Sequence, residues 1–131
     1  MSKPFIDSNI IIYLLSADTA KADRAESILS MGGIISVQVL NEVASVCRRK
    51  LKMPWVEVEA LLLAVKTACE IMPLTVASHE KAVELSKRFE LSLFDANIVA
   101  TALISGAEVL FSEDMHNNLL IDRLLIQNPF I

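Results

Sequence analysis

Glycine is scarce. The 131 residues hold three, Gly32, Gly33 and Gly106, and neither GxGxxG nor GxxxxGKS/T can be written with them, so phosphate-cradling loops of those types are excluded. Histidine and cysteine number two each. His79 and His116 stand far apart and Cys47 and Cys69 form no CxxC, which leaves no neighbours from which to assemble a Cys/His zinc site. The cysteines read as small buried hydrophobes of a reducing compartment, and the histidines as a surface helix residue and a loop residue. The four prolines are isolated, and no Gly/Ser tract, charge block or repeat marks a linker. The longest apolar runs, residues 10–15 and 60–65, fall well short of the ~18 residues of a membrane span, and residues 1–7 hold no signal-like apolar stretch. The expectation is a protein that enters no membrane and stays in the cytoplasm. Basic residues are outnumbered 12 to 16, for a net charge of −4. Broad electrostatic attachment to nucleic acid is therefore disfavoured, whereas a metal-mediated contact is not.

What the chain has is apolar side chains, 53% of the total against 21% charged. Such a chain buries a large core, and its length fits one domain over residues 1–131. Phe5-Ile6 predicts a strand, and Asp7-Ser8-Asn9 are capping types ahead of an apolar helix. Further helices are expected over residues 20–31, 38–51, 54–67, 76–89 and 92–106, with strands at 34–37, 71–74, 109–111 and 124–126. Alternation of helices with short, wholly apolar strands predicts an α/β fold, a three-layer α/β/α sandwich with a parallel central sheet.

In open parallel sheets ligands gather beyond the carboxyl ends of the strands, and four acids fall there. Asp7 follows the first strand, where it would also serve as a helix N-cap. Glu42 borders the apolar stripe of its helix, a position equally suited to a glutamate whose stem covers the core edge. Asp95 lies in a helix apolar on nearly every side, and Ser92-x-x-Asp95 also reads as a capping-box variant. Asp114 follows the strand at 109–111, where a solvated loop aspartate is ordinary. The joint argument is stronger than any single one, because the sheet places all four at one edge. Clustered carboxylates without histidine imply Mg2+ or Mn2+, which orients a phosphodiester and helps generate hydroxide from water: the chemistry of a nuclease.

The segments Phe5-Ile6-Asp7-Ser8-Asn9-Ile10, Gln38-Val39-Leu40-Asn41-Glu42, Leu93-Phe94-Asp95-Ala96-Asn97-Ile98-Val99-Ala100 and Ser112-Glu113-Asp114, with the ending Asn128-Pro129-Phe130, together resemble a PIN domain, most of all the VapC-like toxins of toxin–antitoxin pairs. The resemblance implies a metal-dependent endoribonuclease acting on RNA, with Asp7, Glu42, Asp95 and Asp114 as the acidic quartet. It further implies that Asp7, Asp95 and Asp114 are metal ligands and that Ser8, Asn9 and Ser112 support them by hydrogen bonds. A cognate antitoxin and a homodimer are implied as partners. His116, Asn117 and Asn118 stand where the family often offers another acid, which leaves the number of metal ions open.

Two readings compete. A PIN-like module without turnover would work by binding or scaffolding, and a phosphoacceptor domain would use Asp7 for metal, though it normally wants adjacent acids after the first strand. Arg48, Arg49, Lys50 and Lys52 form one basic cluster, either a solvated helix end or a contact for RNA phosphates. Trp55, with the leucines at 61–63, belongs either to the core, the commoner fate, or to a protein-binding surface.

Overall fold

Phe5 and Ile6 form β1 (Phe5–Ile6), the centre of the sheet, and both are fully buried. Strands flank them on both sides, so neither residue has a polar alternate position. The structure, a computed structural model, describes residues 3–131. From β1 the chain passes into α1 (Ser8–Ile12), a 3-10 turn (Tyr13–Leu15) and α2 (Thr19–Ser30). Next come β2 (Gly33–Ser36), α3 (Val37–Arg49), α4 (Trp55–Ala68) and β3 (Cys69–Met72). Then follow α5 (Val76–Phe89), α6 (Leu93–Ser105), β4 (Val109–Phe111), β5 (Leu120–Ile121) and β6 (Leu124–Gln127).

The sheet runs β3-β2-β1-β4-β6-β5. All pairings are parallel except that of β5, which returns antiparallel on β6. The three-layer α/β/α architecture expected from the sequence is present. Because the chain winds from β1 outward to β2 and β3, and then across to β4, the strand order reverses between β1 and β4. That reversal opens a crevice at their carboxyl ends.

Local chemistry accounts for the departures from the expected boundaries. Val37 belongs to α3, because the Ser36 hydroxyl accepts from Val39 N at 3.2 Å and caps the helix there. β3 lies two residues earlier than expected, in register with β2 from Gly33↔Cys69 to Ser36↔Met72, and Pro73 ends it. β5 was not foreseen. It forms a tight hairpin with β6 in which Asp122 takes φ 55°, and Asp122 pairs with Arg88 and Lys81 on α5 at 3.5 and 3.9 Å. Trp55 is 55% exposed, contrary to the expected core position, and lies under the Arg48 guanidinium at 4.7 Å. Cys47 and Cys69 are free and buried, and His79 and His116 are exposed, as expected. Among the described residues no helix is long and apolar enough to cross a membrane.

One glycine is required by close packing at the sheet centre. A Cβ on Gly33 would stand 2.5 Å from Ile6 Cδ1 and 3.1 Å from the Pro4 carbonyl oxygen. Ile6 has no exposed surface to swing into, so Gly33→Ala is expected to cost about 1–3 kcal/mol by overpacking. Urea denaturation measures this, and unchanged stability would show that Ile6 has room to move.

Candidate active site

Asp7 sits at the crevice because it is the residue at which β1 ends and α1 begins. Its backbone N–H still donates to Phe111 O at 3.0 Å, extending the β1–β4 pairing, while its side chain caps the helix. Oδ1 accepts from Ser8 N at 2.7 Å and Oδ2 from the Ser112 hydroxyl at 2.8 Å. The Asn9 amide approaches Oδ2 at 3.4 Å and accepts from Glu113 N at 3.3 Å, tying α1 to the loop after β4. One carboxylate thus caps α1 and holds Ser112 at the crevice.

Glu42 reaches this cluster from α3. The stripe Val39, Val43 and Cys47 is buried, so the helix is rotated with Glu42 at the edge of the core. Its Oε1 accepts from the Ser8 hydroxyl at 2.8 Å and its Oε2 from Gln38 Nε2 at 2.9 Å. Ser8 therefore links Asp7 to Glu42. Asp95 stands in the first turn of α6, where its N–H donates to the Ser92 hydroxyl at 3.1 Å; Ser92 is the cap, and only this half of the expected capping box is formed. Asp114 is exposed in the loop after β4, two residues beyond the buried Ser112.

The electrostatics join the four acids. Burial lifts the Asp7 carboxyl from its ordinary 3.8 to about 6, against the pull of the Ser112 hydroxyl and the Ser8 amide, and the charges of Glu42 and Asp95 add to the rise. Half-buried Asp95 is raised first by burial and then by Glu42 and Asp114, with Ser92 opposing. Each acid thus lies within electrostatic reach of at least one other. Among the described residues, no three His, Cys, Asp or Glu side chains stand close enough to enclose a metal ion. The donor set nonetheless fits Mg2+ or Mn2+. All its donors are oxygens, two of its carboxyls resist ionisation through burial and the charge of neighbouring acids, and Mg2+ usually keeps several waters around one or two carboxylates.

A fifth acid, absent from the sequence reading, borders the site. Glu113 accepts from the Tyr13 hydroxyl and from Lys21 Nζ, the latter at 3.2 Å, and Lys21 lies 4.6 Å from the Tyr13 ring centroid. This arrangement commits the Glu113 carboxylate to Tyr13 and Lys21 and ties down the loop that bears Asp114. Gln38 was also missed, although its spacing of four from Glu42 on one helix face was a usable signal. Nothing local pointed to Tyr13 or Lys21, whose link to Glu113 spans about a hundred residues of chain.

The PIN domain family model matches residues 5–118. A toxin–antitoxin complex from Klebsiella pneumoniae has a chain similar at TM-score 0.73 and 22% identity, over 96% of this chain and 97% of that one. The Mycobacterium tuberculosis toxin VapC20, described as cleaving the sarcin-ricin loop, is similar at TM-score 0.69 and 20% identity over 84% of this chain and 88% of its own. A chain of VapBC2 from Rickettsia felis, bound to a DNA fragment from its promoter, gives 0.69 and 20% over 95% and 96%. At these identities the structures establish a shared fold. No curated protein matches.

The raised Asp7 pKa sets a stability profile. Well below the ordinary 3.8 the carboxyl is neutral in both folded and unfolded chains and costs nothing. As pH rises from there to about 6 the unfolded chain ionises while the folded chain holds its proton, so stability falls by on the order of 3 kcal/mol at ~1.4 kcal/mol per pKa unit and levels off above about 6. In chelator, Asp7→Asn is therefore expected to be more stable than wild type by roughly 1–3 kcal/mol at pH 7.5 and no more stable at pH 4. Thermal denaturation across that range measures it, and a variant less stable at pH 7.5 would show that the hydrogen bonds to Asp7 outweigh its burial.

Proposed function

The chain belongs to the PIN domain family, and on that footing we propose that it is a Mg2+- or Mn2+-dependent endoribonuclease, the toxin of a type II toxin–antitoxin pair. The observation that carries this reading is the meeting of Asp7, Glu42, Asp95 and Asp114 at the β1–β4 crevice, with Asp7 buried and short of positive charge. Asp7, Asp95 and Asp114 would hold the ion, with Glu42 beside them. When bound, the ion supplies positive charge against the phosphate oxygens and lowers the pKa of water.

The remaining work falls to the chain. Ser8 N and the Ser112 hydroxyl take one oxygen of Asp7 each, so the carboxylate cannot rotate away from the crevice. Glu42, fixed by Ser8 and Gln38, is placed to accept a proton from a water attacking phosphorus. That water adds to the phosphodiester as the bond from phosphorus to one neighbouring sugar oxygen breaks, and the departing oxygen takes a proton. The phosphoacceptor reading has less support, since Asp7 is followed by Ser8 and Asn9 and family membership favours hydrolysis. We assign the protein to the cytoplasm and, as partners, an antitoxin and a second copy of the chain. Exposed Trp55, Val56 and Leu63 on α4 support protein contact of this kind.

Purified protein is expected to cleave a mixed cellular RNA pool with Mn2+ or Mg2+, to lose cleavage in chelator, and to lose it by about a hundredfold or more in Asp95→Asn. Folded, inhibitor-free protein that cleaves nothing under any of these conditions would turn the assignment to a binding or scaffolding module.

A further inference from the structure

The basic cluster at the end of α3 does not act as one patch. Arg48 donates to the Met53 carbonyl at 2.8 Å and stacks over Trp55, so its charge is committed to its own helix end. Lys50 instead lines a groove of about 570 Å3 whose walls include Glu42 and Asp114. Along α3 the lining advances from Glu42 through Ser45 and Val46 to Lys50, about 12 Å at 1.5 Å per residue. Ile12 and Val46 contribute apolar surface between the two ends. Among the described residues Lys50 forms no ion pair, whereas Lys21, the other cation near the site, is taken by Glu113.

Resting on the ribonuclease reading, we propose that this groove is the bed of the single RNA strand that flanks the scissile bond, with Lys50 as its phosphate subsite. The charge pattern suits that occupant. One end is carboxylate and accepts a phosphodiester only through a bound cation, while the other offers a lysine without a partner. About 12 Å spans roughly three to four phosphates at the ~3.4 Å rise of a stacked strand, and fewer if the strand is extended. The apolar middle meets bases or sugars, and the Ser45 side chain stands at its rim. The groove follows the seam between two packed helices, α1 and α3, which suits one strand rather than a duplex.

The test uses binding, so it does not depend on turnover. A fluorescent unstructured oligoribonucleotide is titrated with Asp95→Asn protein in Mg2+ at several salt concentrations. Adding Lys50→Ala is expected to weaken binding about three- to tenfold and to reduce the slope of log affinity against log salt by about 0.7, the value for one phosphate contact on a single strand. Adding Arg49→Ala is expected to leave that slope unchanged. Ser45→Trp, added to Asp95→Asn for the RNA titration and placed in otherwise wild-type protein for the metal readout, fills the groove at an exposed helix position. It is expected to weaken oligoribonucleotide binding while keeping the Mn2+-induced rise in melting temperature. An unchanged slope in Lys50→Ala, or an equal fall in Arg49→Ala, overturns the subsite. Unimpaired RNA binding by Ser45→Trp overturns it too and gives the groove to a protein ligand. If wild type still cleaves RNA in these cases, only the groove assignment falls, whereas wild type that neither binds nor cleaves RNA removes the ribonuclease reading as well.

Discussion

The structure turns on a buried carboxylate at the point where the sheet reverses direction. Asp7 must leave water to stand between β1 and β4, and the neighbouring groups are arranged around that cost. Ser8 N and the Ser112 hydroxyl each satisfy one of its oxygens, and its own N–H completes the pairing with Phe111. These bonds recover only part of the desolvation, which is why the carboxyl titrates near 6 and not near 4. A folded chain that keeps such a group is less stable than it could be. The deficit is the kind that a bound cation relieves, because opposite charge favours the ionised form that burial disfavours.

The same residue couples fold and site, so neither is free to drift. α1 begins at Asp7 because its side chain caps the helix, and the capped turn then delivers Ser8 to Glu42 and Asn9 to the backbone of Glu113. The loop after β4 is held at consecutive positions: Ser112 by Asp7, Glu113 by Asn9, Tyr13 and Lys21. Only then does Asp114 emerge into solvent. Its exposure is a consequence of what precedes it being tied down.

The parts of this arrangement legible in the sequence share a physical basis. Phe5-Ile6 and Val109-Leu110-Phe111 are wholly apolar because central parallel strands have no wet face, and Ser92 marks a helix start because its hydroxyl answers a free N–H group. Acids just past such strands then fall at one edge by topology. What escaped depended on distant partners or on competing local chemistry. β5 exists because β6 is there to pair with it, and Asp122-Arg123 lacks the glycine that announces most two-residue hairpins. Trp55 was left between the core, the commoner fate of such a residue, and a protein-binding surface, and it is exposed with Arg48 over its ring, a contact no hydrophobic period reveals. Asp7 was read as either a cap or a site residue, and its capping bond to Ser8 N leaves Oδ2 turned to Ser112 at the crevice, so the one role does not preclude the other.

Net charge constrains how such a molecule meets a polyanion. At −4 overall, with five acids at or beside the crevice, the chain repels nucleic acid at long range. Affinity must therefore come from a few local contacts made after approach. On the ribonuclease reading, a cation in the crevice would reverse the sign where the phosphodiester reacts. Lys50, spaced from Glu42 along the same helix, provides a second positive point whose position is fixed by the core packing of Val39, Val43 and Cys47. Two anchored positive points separated by an apolar stretch select for a strand that can present its backbone along α3. On the proposed ribonuclease reading, a helical stripe that buries valine also sets the geometry in which RNA is held.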